Sequence, residues 1–391
     1  MESVELFTGV GGLAMGIAGA GFRHHAVIER DRAACATLRA NAGRAGAPVA
    51  DWPLVEADVR TFDYATLPVG LDLLAGGPPC QPFSLGGKHA GPRDSRDLFP
   101  EAVRAVRELQ PRAFLFENVR GLLRQSFARY FAYILLQLTY PAFLSRPGES
   151  WLDHLGRLEG YHTAGSCTDL GYGVVFRSLN AADYGVPQKR ERVILVGLRR
   201  DLGLDWAFPA PTHALDALLW SQWVTSAYWE RHEIARRDRP LMPPALQSRV
   251  ARLRASLFPP PLPPWRTVRD ALADLPDPLS AAAQAVSNHR FVPGARSYPG
   301  HTGSLLDEPA KTLKAGDHGV PGGENTLAAP DGRVRYFTVR ESARLQTFPD
   351  AYCFTGSWTE SMRQLGNAVP VTLAQVLATS LHARLAPPEQ C

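Results

Sequence analysis

The chain has 391 residues, a length that accommodates two domains or one large domain with an insertion. Hydrophobic residues make up 45% and charged residues 20%, which excludes intrinsic disorder as the main state because there is ample apolar surface to bury. The net charge of +4 is too small to indicate a nucleic-acid partner by itself, although 38 of the 42 basic residues are arginine.

Apolar stretches and cysteines indicate the cellular compartment. The most apolar stretch, residues 131–144, is 14 residues long and too short to span a bilayer. The first residues, MESVELF, lack the basic and apolar regions of a signal peptide, so we expect a cytoplasmic protein. The cysteines include no CxxC pair, which argues against a metal site or a disulfide framework; they are Cys35, Cys80, Cys167, Cys353 and Cys391.

Strand-like and helical patterns alternate over the first 115 residues, and one further strand follows near residue 193. A Gly-rich turn at 8–12 follows the first strand, and a helix at 99–109 precedes the fourth. Such alternation predicts a doubly wound α/β sheet. Strands are predicted at 4–7, 25–28, 72–75, 113–116 and 193–197.

The composition and the hydrophobic pattern of the sequence change near residue 212. Residues 240–278 hold ten prolines, and residues 300–323 hold six glycines. Helix and strand patterns fade, which predicts a separate, irregular, loop-rich module. A flexible Pro-rich linker at 240–265 is the alternative interpretation of that part. Regular structure returns with helices predicted at 340–345 and 371–385.

The Gly-rich turn lies within LFTGVGGL, residues 6–13. Backbone amides at such a turn, and at the start of the following helix, can bind a ligand closely. Glu29, at the end of the second strand, can accept hydrogen bonds from two ribose hydroxyls, and Asp58 can accept one from an adenine amino group. By itself this pattern fits NAD, FAD or S-adenosylmethionine equally, and a simple tight turn is a further alternative.

Two strand ends carry candidate catalytic side chains. Cys80 follows the third strand within GGPPCQPFS, where it is placed as a nucleophile or, alternatively, as a buried structural thiol. Glu117, in ENV, reaches the same edge if the strands are parallel and could donate a proton there; an ion-paired or helix-capping glutamate is the alternative. QKRER, residues 188–192, precedes a later strand and could orient Glu117, clamp a phosphate or form a solvated charge run.

Six segments together resemble, in order, the motifs of the DNA cytosine C5-methyltransferase family: LFTGVGG, PPCQPFS, ENV, QKRER, RLQTFP and GNAVP. The resemblance covers about residues 1–200 and 335–385. It implies a Rossmann-like S-adenosylmethionine-dependent methyltransferase sheet with a smaller, irregular target-recognition domain. The catalytic domain would comprise residues 1–200, with 356–391 packing back on it, and the target-recognition domain residues 201–355.

The resemblance also implies roles for individual residues. Cys80 is the nucleophile that adds to C6 of a flipped-out cytosine. Glu117 binds N3 and the 4-amino group, while Arg190 and Arg192 orient Glu117 and the base. The cofactor is S-adenosylmethionine, and no metal is implied. The implied cofactor-binding residues are Phe7, Gly9, Gly11, Gly12, Leu13, Glu29, Asp58, Pro79, Leu98, Asn367 and Val369.

The implied partner is double-stranded DNA. Gln81, Ser84, Arg96 and Gln188 are expected to contact it from the motif-bearing part of the chain. In the recognition module, net charge over residues 215–335 is +3, from 15 basic and 12 acidic residues. The candidates for base or phosphate contact there are Arg290, Arg296, His301, Lys311, Thr312 and Lys314.

Three other functions remain open at this point: methylation of transfer RNA, a catalytically decayed DNA-binding protein, and an NAD oxidoreductase. We expect a monomer that serves as a restriction–modification or solitary methyltransferase and needs no cognate endonuclease for activity. Between ENV and QKRER lie 68 residues, more than the family needs. An insertion at 125–158 is expected to form a helical cover on the sheet.

Overall fold

The computed structural model describes residues 1–49, 51–79, 97–165, 170–297, 302–315, 325–329 and 331–387. The chain divides into two compact units. Unit 1 comprises Met1–Leu179, Glu191–Pro209 and Ala374–Cys391, and unit 2 comprises Asn180–Arg190 and Ala210–Leu373. Each unit is therefore built from segments that are far apart in sequence.

A seven-stranded sheet forms the centre of unit 1, in the order β3-β2-β1-β4-β5-β7-β6. The first five of these strands pair in parallel, whereas β5 and β7 are antiparallel. Chain order reverses between β1 and β4, which is the switch point beside which open α/β sheets bind ligands. The strands are β1 (Glu2–Leu6), β2 (Arg23–Glu29), β3 (Leu54–Glu56), β4 (Leu73–Gly76), β5 (Ala113–Val119), β6 (Tyr172–Asn180) and β7 (Glu191–Arg199).

Helices connect the strands of unit 1 and supply much of its apolar core. Local sequence sets their starts: the Asp31 side chain caps the second helix, Pro100 lies in the first turn of the third, and Ser150 caps the fifth. Strand residues such as Phe114 and Phe116 are fully buried. Burial of each such side chain contributes about 2–3 kcal/mol. These helices are α1 (Gly12–Gly19), α2 (Arg32–Asn41), α3 (Phe99–Leu109), α4 (Ala128–Thr139) and α5 (Trp151–Ala164).

The α/β fold class predicted from sequence is confirmed, as is each of the five predicted strands to within a few residues. The helix predicted at 99–109 matches α3, and the insertion is helical at α4 and α5. Two strands of this seven-stranded sheet were not predicted. The strand β3 has only three residues, and β6 lies at the sheet edge with most of its residues exposed, so neither shows a buried alternating pattern.

Unit 2 consists of short elements around a small aromatic core. Tyr228, Trp229 and Trp265 are buried there, and Leu218 packs with them. The strands β8 (Ser304–Leu305), β9 (Thr326–Ala328) and β10 (Val334–Tyr336) form a separate sheet. The helices are α6 (Leu215–Leu219), α7 (Ala227–Arg231), α8 (Gln247–Arg254), α9 (Val268–Leu272), α10 (Val339–Leu345) and α11 (Trp358–Asn367); α12 (Val371–Leu385) then leads back into unit 1.

The unit boundaries differ from the sequence-based domain boundaries in three places. Residues 201–209 cluster with unit 1 and residues 180–190 with unit 2. Residues 356–373, which were expected to pack on the catalytic domain, also cluster with unit 2. This last difference has a packing reason. A Cβ built on Gly366 would lie 2.2 Å from the backbone nitrogen of Ala315, so the end of α11 lies directly against another segment of unit 2.

Gly16 allows α1 to approach the C-terminal helix closely within unit 1. A Cβ at Gly16 would lie 2.4 Å from Cβ of Ala374 and 2.5 Å from the backbone nitrogen of Gln375. We predict that Gly16→Ala lowers the free energy of unfolding by about 1–3 kcal/mol, because backbone atoms cannot move aside cheaply. Urea unfolding measures this effect.

Gly156 provides the matched control, because it also lies inside a helix but has open space around its Cβ position. Gly156→Ala should leave stability unchanged or raise it by up to about 1 kcal/mol. Equal destabilisation by both substitutions would contradict the packing explanation.

Candidate active site

Four sequence motifs come together at the carboxyl ends of adjacent parallel strands in unit 1. The Gly-rich turn follows β1, Glu29 ends β2, GGPP follows β4, and Glu117 lies near the end of β5. Leu6 is the register partner of Gly76, which in turn is the partner of Phe116. The parallel arrangement needed to bring Glu117 to this edge is therefore present.

The backbone of the Gly-rich turn is left-handed at three positions. Phe7, Gly9 and Gly11 have φ values of 56°, 56° and 81°. A Cβ on Gly11 would lie 2.7 Å from the Trp52 ring, whereas the Cβ position of Gly9 meets nothing within 4 Å. The turn thus keeps open space beside Gly9, where backbone can approach a ligand. Gly12 and Leu13 form the first turn of α1 and are buried.

Glu29 joins the Gly-rich turn to the end of β2. Its Oε2 accepts a hydrogen bond of 2.7 Å from the backbone nitrogen of Gly9. Its Oε1 accepts from the backbone nitrogens of Arg30 and Asp31, at 2.8 and 2.7 Å. The carboxylate is therefore fixed in direction by three backbone donors, which is the arrangement needed to present its remaining lone pairs to ribose hydroxyls.

Asp58 is held by two arginines. Nε of Arg60 lies 3.0 Å from Oδ1, and Nη1 of Arg30 lies 3.1 Å from Oδ2. These hydrogen bonds, above all those from Arg60, hold the pKa of Asp58 well below its ordinary value, so the side chain is a carboxylate that can accept but not donate. Farther along unit 1, the backbone nitrogen of Leu98 donates to the carbonyl of Pro79 at 3.2 Å.

Glu5 is a buried carboxyl beneath the Gly-rich turn that sequence reasoning missed. It is 1% exposed, and one of its oxygens, Oε2, has no hydrogen-bond partner among the described residues. Burial, reinforced by the nearby Glu29 carboxylate, raises the pKa of Glu5 well above its ordinary value. An acidic residue between Val4 and Leu6, directly before LFTGVGG, was the signal that could have identified it.

Glu117 forms an ion pair with Arg192. Arg192 is the antiparallel register partner of Val119, so Glu117 is its diagonal neighbour on the same face of the sheet. Arg192 Nε lies 2.6 Å from Glu117 Oε1, and each side chain is only 10% exposed. The guanidinium thus lies against one carboxylate oxygen without hydrogen-bond geometry, in a nearly dry environment where charge pairing is stronger than at the surface.

The ENV segment is also attached to the segment that leads to Cys80. The Asn118 side-chain amide donates to the carbonyl of Pro78 at 3.0 Å. A Cβ built on Gly77 would lie 3.5 Å from Glu117 Oε2, so this second oxygen faces the GGPP segment. The predicted residues Cys80, Gln81, Ser84, Arg96 and His301 lie outside the described residues.

Arg190 is fully buried in unit 2, where it donates to three carbonyl groups. Its guanidinium lies 3.1 Å from the carbonyl oxygen of Leu313 and 2.7 and 2.8 Å from those of Gly366 and Ala368. QKRER, KTLK and GNAVP are thereby joined in one hydrogen-bonded cluster. Arg190 and Arg192 therefore have different partners, although one joint role was expected for them from sequence.

Gln188 belongs to the same buried cluster. Its amide nitrogen donates to the carbonyl of Leu345 at 3.2 Å, and its amide oxygen accepts from the backbone nitrogen of Leu313 at 3.1 Å. The residue is 0% exposed. A DNA contact by Gln188 would require both of these bonds to break, so its role in the folded chain is to hold three motif segments together.

The remaining predicted residues lie in unit 2. Lys311 Nζ donates to Thr302 Oγ1 at 3.0 Å, and Thr312 Oγ1 donates to the Lys189 carbonyl at 2.7 Å. Of the others, Val369 is buried, whereas Lys314, Arg290, Arg296 and Asn367 are exposed. Arg290 lines a cavity of about 300 Å³ together with residues 283–288 and Cys353.

The chain matches the family model described as C-5 cytosine-specific DNA methylase over residues 1–140, 162–228 and 285–383. The chain belongs to this family. The match includes all six motifs and leaves out residues 141–161 and 229–284. The resemblance inferred from the motifs is thus confirmed.

Two similar proteins come from bacteria. The chain is 32% identical over 380 residues to the type II methyltransferase M.PspPI of Psychrobacter sp., and 33% identical over 392 residues to the type II methyltransferase M.Eco47II of Escherichia coli. Each alignment covers 97% of this chain and 78% of the relative. The Dnmt2 methyltransferase of S. pombe has the same fold, with a TM-score of 0.55 and 16% identity over 98% of both chains.

The described residues contain neither a cluster of metal-ligating side chains nor a helix that could span a membrane. Among these residues, no group of three or more His, Cys, Asp and Glu side chains is arranged to hold a metal ion. None of the helices in the same ranges combines the length and apolar character that crossing a membrane requires.

The different partners of Arg190 and Arg192 predict different consequences of losing each side chain. Arg190→Met should lower the free energy of unfolding by about 3–5 kcal/mol, because each buried carbonyl left without a donor costs about 1–3 kcal/mol. Arg192→Met should abolish methyl transfer and should also lower the free energy of unfolding, because Glu117 is left buried without its partner. Urea unfolding and an activity assay measure the two effects.

Arg190→Lys serves as the matched control. It keeps the charge but lacks the planar fork that reaches three carbonyls, so its stability should fall between that of the native protein and that of Arg190→Met. Unchanged stability of Arg190→Met, or methyl transfer retained by Arg192→Met, would contradict the separate roles.

Proposed function

We propose that this protein transfers a methyl group from S-adenosylmethionine to C5 of a cytosine in a short, specific sequence of duplex DNA, as the modification enzyme of a restriction–modification system or as a solitary methyltransferase. The observation that carries the proposal is the ion pair of Glu117 with Arg192 beside the GGPP segment, in a chain that belongs to the C-5 cytosine-specific DNA methylase family. The names of the bacterial relatives, type II methyltransferases, support the same substrate class.

The residues around the Gly-rich turn fit a nucleoside cofactor with an amino-acid arm. The space beside Gly9 would admit the cofactor close to backbone amides, and the fixed Glu29 carboxylate would accept the ribose hydroxyls. The Asp58 carboxylate would accept from the adenine amino group. S-adenosylmethionine supplies a methyl group on a positively charged sulfur. Phe7, Leu13, Pro79 and Leu98 are proposed to complete the binding site in unit 1, and the resemblance of GNAVP alone assigns Asn367 and Val369 to the cofactor.

Cys80 would make cytosine C5 nucleophilic. Addition of its thiolate to C6 forms a C6–S bond and moves the electrons of the C5–C6 double bond toward C5. After C5 has gained the methyl group, a base removes the C5 proton, the double bond re-forms, and the C6–S bond breaks. Because C6 is inaccessible in a stacked duplex, the cytosine must first be extruded, as base-modifying enzymes do.

Glu117 would stabilise the ring during this addition. Electron density that leaves C5–C6 raises the basicity of N3, so a carboxyl that shares a proton with N3 and accepts from the 4-amino group lowers the barrier. Arg192 holds Oε1 of Glu117, while Oε2 faces the segment that leads to Cys80. The proposed DNA contacts are those of the recognition module: Arg290, Arg296, His301, Lys311, Thr312 and Lys314, with Gln81, Ser84 and Arg96 from the segment that follows Cys80.

Labelled methyl transfer to duplex DNA and to transfer RNA tests the proposal. We expect label in DNA at cytosine C5, and bisulfite sequencing of a genome that expresses the protein would then reveal the methylated sequence. Label in transfer RNA alone would overturn the proposed substrate. An absence of transfer to either, with DNA binding retained, would instead indicate a catalytically decayed DNA-binding protein.

The roles of Cys80 and Glu117 give a sharper prediction. Cys80→Ala should abolish methyl transfer while DNA binding survives, and Glu117→Gln should reduce the rate by about 100-fold or more. A duplex with 5-fluorocytosine at the target should trap the native protein covalently, because fluorine cannot leave C5 as a proton does. A denaturing gel would detect the adduct.

Cys353→Ala is the matched control, since Cys353 is a partly exposed cysteine of unit 2 that forms no disulfide within the described part of the chain. It should retain both methyl transfer and the covalent adduct. Turnover by Cys80→Ala, or an adduct that persists in it, would exclude Cys80 as the nucleophile.

A further inference from the structure

Positive charge is concentrated in one segment that the proposed mechanism does not use. Residues 231–266 contain eight arginines, no lysine and two acidic residues, a net charge of +6. This exceeds the +4 of the whole chain, so the remainder of the protein carries −2. Within residues 215–335, everything outside this segment carries −3, from 7 basic and 10 acidic residues.

The segment also lies outside the part of the chain that the family model matches. The matched ranges end at residue 228 and resume at residue 285. The concentration of arginine is therefore a property of this chain that family membership does not imply. It lies entirely within unit 2.

Two arginine runs of the segment are anchored at the same turn. Arg239 Nη1 donates to Ser226 Oγ at 3.2 Å, and Arg254 Nη2 donates to the carbonyl of Trp223 at 3.0 Å. These acceptors are three residues apart, so the runs 236–239 and 249–254 converge there. We call the five arginines of these runs other than Arg249 the arginine surface: Arg236, Arg237, Arg239, Arg252 and Arg254.

Carboxylates neutralise little of this surface. Arg236 and Arg252 are exposed and have no carboxylate within 4.0 Å in the part of the chain that the structure describes. Arg237 pairs with Asp238 at 3.7 Å, and its side chain is 88% exposed. Arg249, by contrast, is paired with Asp216. Like charges held together without counterions are costly unless an anionic partner binds them.

Large apolar side chains accompany the arginines. Leu241, Leu257 and Phe258 are 93%, 91% and 77% exposed. Ser256 Oγ donates to the Phe258 carbonyl at 2.8 Å and fixes the turn that presents the latter two. Guanidinium groups match phosphate oxygens in a planar fork, while apolar groups contact sugars, so the set fits a nucleic-acid backbone.

We propose that the arginine surface binds phosphates of duplex DNA that flank the methylated sequence. This inference rests on the proposed function, which makes duplex DNA the substrate. The surface adds sequence-independent affinity through release of counterions and takes no part in the chemistry. Membrane lipid phosphates, which could also bind an arginine-rich surface with apolar side chains, form one arm of the test.

The test compares two lengths of duplex around the methylated site, which bisulfite sequencing identifies first. One duplex extends about 3 base pairs beyond the site and the other about 15, and the affinity of the full chain for each is measured over a range of salt concentrations. Arg236→Ala with Arg252→Ala should weaken binding to the long duplex about tenfold at low salt and lower its salt slope by about 2, and should leave the short duplex unaffected.

Three controls accompany the double variant. Arg236→Lys with Arg252→Lys should restore most of the salt slope, since the charge is kept. Arg44→Ala removes an exposed arginine of unit 1 that has no carboxylate within 4.0 Å in the described residues, and it should leave both affinities unchanged. The melting temperature of the double alanine variant should match that of the native protein, because neither side chain loses an ion pair to the described part of the chain.

Unchanged binding, or equal weakening on both duplexes, would overturn the proposal. The proposal would also be overturned if the double alanine variant lost binding to vesicles of anionic lipid while its DNA binding stayed unchanged. A failure of the proposed function would appear earlier, as the absence of any methylated cytosine. A long duplex of arbitrary sequence then becomes the probe, and the double variant must still weaken binding to it.

Discussion

Unit 2 depends on the burial of the Arg190 guanidinium among three carbonyl groups. Its short helices and strands are separated by irregular segments, and buried carbonyls in such segments have no partners in regular secondary structure. Arg190 supplies donors to Leu313, Gly366 and Ala368, which are 123 to 178 residues away in the chain. A fully buried charge is tolerated only when hydrogen bonds such as these three replace its contacts with water.

Glutamine side chains also form hydrogen bonds to backbone groups of these irregular segments. Gln188 joins the segments at Leu313 and Leu345, and the Gln346 amide donates to the Leu365 carbonyl at 2.6 Å. Gln188, Arg190 and Gln346 therefore join backbone groups of KTLK, RLQTFP and GNAVP in one buried network. These motifs thus have a structural basis in backbone hydrogen bonding, separate from any contact with substrate. Such networks specify a single arrangement because a partly satisfied one is costly.

In unit 1 the constraint is strand register. Parallel pairing of β1, β4 and β5 aligns the segments that follow them, and antiparallel pairing of β7 with β5 places Arg192 diagonally opposite Glu117. A shift of one residue would turn Arg192 to the other face of the sheet. The five residues of QKRER thus serve both units: Arg190 satisfies carbonyls in unit 2, and Arg192 pairs with the candidate catalytic glutamate in unit 1.

The sequence by itself determined the α/β class, five strands, the main helices and the family, because alternation of apolar runs and ordered motifs are local features of the chain. It also determined that Glu29 ends one strand and that Glu117 lies near the end of another. Only the tertiary structure decided that Arg190 and Arg192 have different partners, that Gln188 is buried, and that 356–373 belong with unit 2. Likewise, only the folded chain showed two arginine runs meeting at residues 223–226. These outcomes depend on contacts between residues that are distant in sequence. The free energies of such contacts produce no pattern in the local amino-acid sequence.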